Sequence, residues 1–184
     1  MKKNRMNQKG FTLIELLATI TILSMIMLVA VPNIMSTLDK SKRRTYVEDA
    51  KKMISLTEYK IRSNTTIELP ANENTVVAFP LSSLDLTDFS EGPEGGQYDL
   101  RKSYVLVARK NNEYIYFATL VEKYGTGATT KYRGVDAVSY SILLKEDAVN
   151  NVKDFKSSSL PTEPVSGGSK VISNKQYTIS KVIS

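Results

Sequence analysis

Glu15 is the residue in this sequence whose chemistry most requires a partner. It lies near the start of Phe11 to Val31, an almost unbroken apolar run interrupted only by Thr and Ser hydroxyls. A carboxylate inside such a segment costs about 2.5–3.5 kcal/mol on membrane-insertion scales, less near the interface. A chain that keeps one there is expected to meet a cation, since a buried charge must be paired. Little other chemistry is on offer. The chain of 184 residues contains no Cys and no His, which removes disulfides, thiolate nucleophiles, imidazole acid/base catalysis and the usual zinc ligands. Asp85, Asp88, Glu91, Glu94 and Asp99 could offer oxygen to calcium, but their spacing lacks the alternating acidic pattern of a calcium loop. Across 85–99 a solvated acidic loop is the expected reading. Tyr124-Gly125-Thr126-Gly127 resembles a phosphate loop only superficially, because no Walker lysine follows. Among the ten tyrosines, Tyr114, Tyr116 and Tyr132 could stack on bases. Alternation along a strand makes sheet-face packing the stronger reading for Tyr114 and Tyr116. The chain is not expected to be an enzyme, and no cofactor or metal is expected.

The elements that carry Glu15 follow from hydropathy. Phe11 to Val31 would form a helix roughly 31 Å long, enough to cross the hydrocarbon of a bilayer. Lys2, Lys3, Arg5 and Lys9 precede it, and Lys40, Lys42, Arg43 and Arg44 follow. The net charge of +6 is therefore concentrated beside the apolar run; without the first four lysines and arginines, 21 basic residues face 19 acidic ones. That placement points to anionic lipid rather than nucleic acid. The basic flank should remain cytoplasmic and the rest of the chain should lie outside. A conventional signal peptide fits less well, because its apolar region is shorter and ends in small residues, where this run has Leu28-Val29-Ala30.

Beyond the run, Pro32 cannot donate a backbone hydrogen bond and should kink or locally melt the helix. Helical periodicity resumes near Ile34 and continues to Arg62. Val47, Ala50, Ile54, Thr57 and Ile61 form one stripe, widened by Leu38, Tyr46 and Met53. Ser63-Asn64-Thr65-Thr66 should end it. The remainder is rich in Tyr, Val, Ile and Thr, which suits strands. Strands are expected at Thr75 to Phe79, at Tyr104 to Ala108 with Tyr114 to Val121 as a hairpin, and at Ala137 to Leu144. A C-terminal edge pair is expected from Lys170 to Ile172 and Gln176 to Ile183. Lys156 to Ser169, with Pro161, Pro164 and Gly167-Gly168, reads as a mobile surface loop. The expected fold class is α+β: a long N-terminal helix, half transmembrane and half amphipathic, packed on an antiparallel β-sheet head.

Lys9-Gly10-Phe11-Thr12-Leu13-Ile14-Glu15 resembles the class III signal of type IV prepilins and pseudopilins, and Pro32 matches the proline found in many of their N-terminal helices. The resemblance covers residues 9–32. It implies that a prepilin peptidase cuts between Gly10 and Phe11, and that the same enzyme methylates the new amine of Phe11. It also implies the type IV pilin fold, with 1–10 as a leader, 11–31 as the transmembrane and assembly helix, 32–62 as the amphipathic helix and 63–184 as the head. After the cut, the apolar helices of neighbouring copies would bundle into a homopolymer. Glu15 of one copy would then pair with the Phe11 amine of another, penalising wrong registers. Membrane lipid before assembly, the peptidase/N-methyltransferase and the pilus assembly machinery are the implied partners; nucleic acid is the lesser one. The implied location is the cytoplasmic membrane as a single-pass precursor, then a surface pilus used in adhesion, motility or biofilm. A pseudopilin of a secretion or competence apparatus is the rival within the family, and an anchored binding domain that never polymerises is the rival outside it. The chain lacks the C-terminal cysteine pair of many pilins, which suits a Gram-positive cell with one membrane and a thick wall.

Overall fold

A computed structural model describes residues 11–85, 87 and 89–184. The leader with Gly10, and Asp88 of the acidic loop, lie outside the described residues. The chain forms two compact units, Met1–Asp39 and Lys40–Ser184.

The first element, α1, is Leu13–Ser63. Pro32 lies inside it, so the expected local melting does not occur. Proline removes the one donor that would reach the Leu28 carbonyl. The next residue adds a donor close by, since Asn33 Nδ2 donates to the Val29 carbonyl at 3.1 Å. At its far end, the Asn64 N–H caps the Lys60 carbonyl at 3.1 Å. Asn64 Oδ1 then accepts the Thr66 N–H, which turns the chain away.

In the second unit the expected stripe is present. Tyr46, Val47, Ala50, Met53, Ile54 and Thr57 are buried, with Ile61 packed at the margin. Leu38 does not belong to it: it is 52% exposed and lies in the first unit. The stripe covers one face of an eight-stranded sheet: β1 (Thr75–Pro80), β2 (Gln97–Tyr98), β3 (Tyr104–Lys110), β4 (Glu113–Tyr124), β5 (Lys131–Ser139), β6 (Lys153–Phe155), β7 (Ser169–Ile172) and β8 (Lys175–Val182). The order is β6-β5-β4-β3-β1-β8-β7, with β2 on β4.

The β3–β4 hairpin forms as read, closed by Asn111 and Asn112 at φ 51° and 69°. Both central residues have positive φ, the tight reversal that matches strand twist and that Asn tolerates. Three expectations are corrected. The sheet is antiparallel but for one pair, because β8 runs parallel to β1 and so lies inside the sheet; of the C-terminal pair only β7 is at an edge. The third strand begins at Lys131 rather than Ala137. A bulge at Ala137 (φ 50°) interrupts the alternation there, and Tyr140–Leu143 form a helical turn, α2, instead of strand. Finally, the 156–169 segment is anchored, since Pro161 and Pro164 are buried.

The sheet buries its second face as well. Val76, Ala78, Tyr104, Leu106, Phe117 and Tyr177 form a separate cluster there. Lys170 on the edge strand reaches Asp136 on β5 at 3.0 Å, although four strands separate them in the sheet order. The head sheet therefore curls over its own far face.

Candidate functional site

The N-terminus of α1 is organised around Thr12 and Glu15. Thr12 precedes the first helical residue, and Glu15 lies three positions on. Glu15 Oε2 accepts both the Thr12 N–H and the Thr12 hydroxyl, each at 2.8 Å. In return, the Glu15 N–H donates to Thr12 Oγ1 at 3.3 Å. This reciprocal capping box satisfies helix-end donors that have no partner within the helix. Both bonds to the carboxylate use Oε2, and among the described residues Oε1 accepts none. The Thr-x-x-Glu spacing before an apolar run is a capping signature, and sequence reasoning passed over Thr12 because Glu15 was weighed as a charge alone.

From this cap onward the helix turns apolar side chains outward on every side. Phe11 is 87% exposed, and Leu13, Ile14, Met25 and Leu28 are all more than 70% exposed. The hydroxyls along it turn inward on the backbone. Thr19, Thr21 and Ser24 donate to the carbonyls of Leu16, Ala18 and Ile20 at 2.7–2.8 Å. They are thereby satisfied without water, which an apolar environment requires. The helix is long and apolar enough to cross a membrane.

Among the described residues, the structure does not bring the acidic loop residues together. Asp85 accepts Thr87, Asp99 accepts the N–H groups of Arg101 and Lys102, and Glu91 is exposed. Glu94 departs from the expected solvated loop: its side chain is 10% exposed and sits between Arg133 at 2.7 Å and Lys42 at 2.6 Å. Of the tyrosines, Tyr116 packs against the core, Tyr114 is 42% exposed and Tyr132 is half-buried on β5.

Sequence reasoning also missed a buried polar lock between α1 and the head. Glu122 is fully buried; its carboxylate accepts the Tyr46 hydroxyl, the Glu94 N–H at 3.1 Å and the Gly96 N–H at 2.8 Å. Asp49 accepts the Tyr98 hydroxyl at 2.5 Å, and Arg43 donates to the Val152 carbonyl at 2.6 Å. Lys42, Tyr46 and Asp49 recur at helical spacing, so one face of α1 grips the 91–98 segment. Burial, then the Glu122 carboxylate, pushes the Tyr46 phenol far up, which keeps it a donor. No periodicity marks Glu122 in the sequence, because its partners lie far away along the chain.

Residues 5–31 match the prokaryotic N-terminal methylation motif. No curated protein and no solved structure matches the chain.

Proposed function

We propose that this chain is the structural subunit of a type IV pilus, a reading supported by its N-terminal methylation motif, which type IV pilins and pseudopilins share. Processing by a prepilin peptidase and assembly into a pilus-like filament are what that motif implies. In this reading the cut falls between Gly10 and Phe11, and the precursor spans the cytoplasmic membrane once through 11–31. The mature subunits then leave the bilayer for a surface filament by packing these helices together. The observation that carries the reading is the all-round exposure of apolar side chains from Leu13 to Val31, immediately after the motif's cleavage region. Bilayer lipid covers such a surface first, and neighbouring copies cover it afterwards. Glu15 then has two duties. Oε2 caps its own helix through Thr12, and Oε1 receives the Phe11 amine of the next subunit.

The test is the yield of filaments sheared from cells, read against total cellular subunit. Gly10→Val should block maturation and leave a membrane-bound precursor that is heavier by its ten leader residues. Glu15→Ala should be cleaved normally yet lose filaments, since removing one partner of a desolvated charge pair costs about 3–5 kcal/mol. Thr12→Val removes the cap while keeping the carboxylate, at about 1 kcal/mol, and should reduce yield only modestly. Wild-type yield from Glu15→Ala would overturn the assembly role. Filaments found only in a secretion or competence apparatus, and not on the cell surface, would move the chain to the pseudopilins.

A further inference from the structure

The mouth of the curled sheet holds a groove of about 560 Å³, within the roughly 300–1,000 Å³ of small-ligand sites. Its floor is the ring pair Phe117 and Tyr177, with centroids 6.4 Å apart and planes tilted by 52°. Tyr114 and Tyr140 contribute aromatic walls, and Lys110, Lys175 and Glu73 stand at the rim. Two tight hairpins frame it: the β3–β4 reversal, and the β7–β8 reversal with Ser173 and Asn174 at φ 48° and 66°. The first is tied down, because Glu73 accepts the Asn111 N–H at 2.8 Å and Arg109 donates to the Ala71 carbonyl at 3.1 Å. The Lys175 ammonium lies 5.0 Å from the centre of the Tyr177 ring, so a cation already overhangs the floor. The groove is therefore framed by two short turns, and on the restrained β3–β4 side little ordering is left for a ligand to impose.

We infer that this groove binds a short saccharide carrying a carboxylate. Flat rings offer their faces to the C–H surface of a pyranose. The tyrosine and serine hydroxyls around them supply partners for sugar hydroxyls. Burial, then the charge of Glu73, pushes the Tyr177 phenol up and keeps it neutral. Glu73 keeps its charge while accepting the Asn111 N–H, but Lys110 and Lys175 outnumber it, so the lining carries a net positive charge that favours an anionic substituent. A nucleic-acid strand is the poorer match: it needs a track of cations along the backbone, and this rim carries two, with a carboxylate beside them. The inference does not depend on filament assembly.

The test uses the full chain in detergent micelles, titrated calorimetrically with a hyaluronan tetrasaccharide, with neutral chitotetraose and with an eight-residue oligothymidylate. The acidic tetrasaccharide should bind saturably, and chitotetraose at least tenfold more weakly. Tyr114→Ala, and separately Lys110→Gln with Lys175→Gln, should each weaken binding at least tenfold. Lys110 is exposed and Lys175 half-exposed, so an unchanged thermal melt should show that these variants fold. Absence of saturable binding, equal affinity for the two saccharides, or affinity unchanged in well-folded variants would each overturn the inference. Tighter binding of the oligothymidylate would replace it with a nucleic-acid site.

Discussion

Glu122 shows what one buried residue can decide. Among the described residues its carboxylate has no side-chain cation as a hydrogen-bond donor; Tyr46 and the two backbone N–H groups hold it. Tyr46→Phe keeps the ring and deletes one donor, leaving a buried charge less satisfied. A cost of about 1–3 kcal/mol is expected, and with it a fall of several degrees in melting temperature. An unchanged melt would mean that water or a shifted backbone replaces the hydroxyl. Glu94, beside it, makes the head sensitive to acid. Burial pushes its carboxyl up, but the hydrogen bonds from Lys42 and Arg133 outweigh burial and hold its pKa below the ordinary value of 4.5. Its stabilisation is therefore complete above the unfolded pKa and is lost as pH falls below about 4.5. Asp49 runs the other way: burial raises its pKa above 3.8, so protonation relieves a cost in acid. Glu94→Gln should flatten the acid loss of stability followed by denaturant melts between pH 6 and pH 3. A loss as steep as in the parent chain would assign the sensitivity to other carboxylates.

At the scale of elements, the β4–β5 pairing depends on Gly134. A Cβ built there would overlap the Leu120 carbonyl oxygen of the neighbouring strand, which is backbone and cannot swing aside. Gly134→Ala should destabilise by more than a usual surface change, by about 2–3 kcal/mol, seen as a lower midpoint in urea. A midpoint within error of the parent would mean that the strands separate there at little cost. The same region explains where the sequence was readable and where it was not. The β3–β4 hairpin was legible because each element agreed locally, with apolar strands on both sides and an Asn pair able to take positive φ. The helix stripe was legible because burial on one face leaves a period in the chain. The start of β5 was not, because the bulge at Ala137 breaks the alternation on which that reading relies. The parallel β1–β8 pair was hidden for another reason. Its register depends on contacts between residues about a hundred positions apart, and neither strand carries a local mark of its partner. At the N-terminus, the capping duty of Thr12 was legible in its Thr-x-x-Glu spacing, and it was passed over because Glu15 was weighed as a charge alone.

The whole molecule is divided by a change in what water must touch. Up to Val31 the side chains of α1 are mostly apolar and exposed; from Tyr46 one apolar face, with Val47, Ala50, Met53 and Ile54, is covered by the head, while Tyr59 stays exposed. Lys40–Ser184 is compact in its own right and contains every residue of the buried core and the polar lock. Deletion through Asp39 should therefore yield a soluble monomer that melts cooperatively, with mixed helix and strand by circular dichroism. Deletion through Ile61 is a different cut. It removes Tyr46, Met53 and Ile54, all fully buried, and opens the sheet face they cover. Burying one such side chain stabilises by about 1.5–3 kcal/mol. Losing several of them, with the Tyr46 donor to Glu122 and Asp49's bond to Tyr98, consumes most of the roughly 5–15 kcal/mol by which a domain is stable. The longer deletion should aggregate or bind a hydrophobic dye without a melting transition. Size-exclusion chromatography and thermal melts of the two proteins decide the matter. If both run as folded monomers with similar midpoints, the 40–61 segment of α1 is dispensable to the head, and its contacts with the sheet do not hold the fold together.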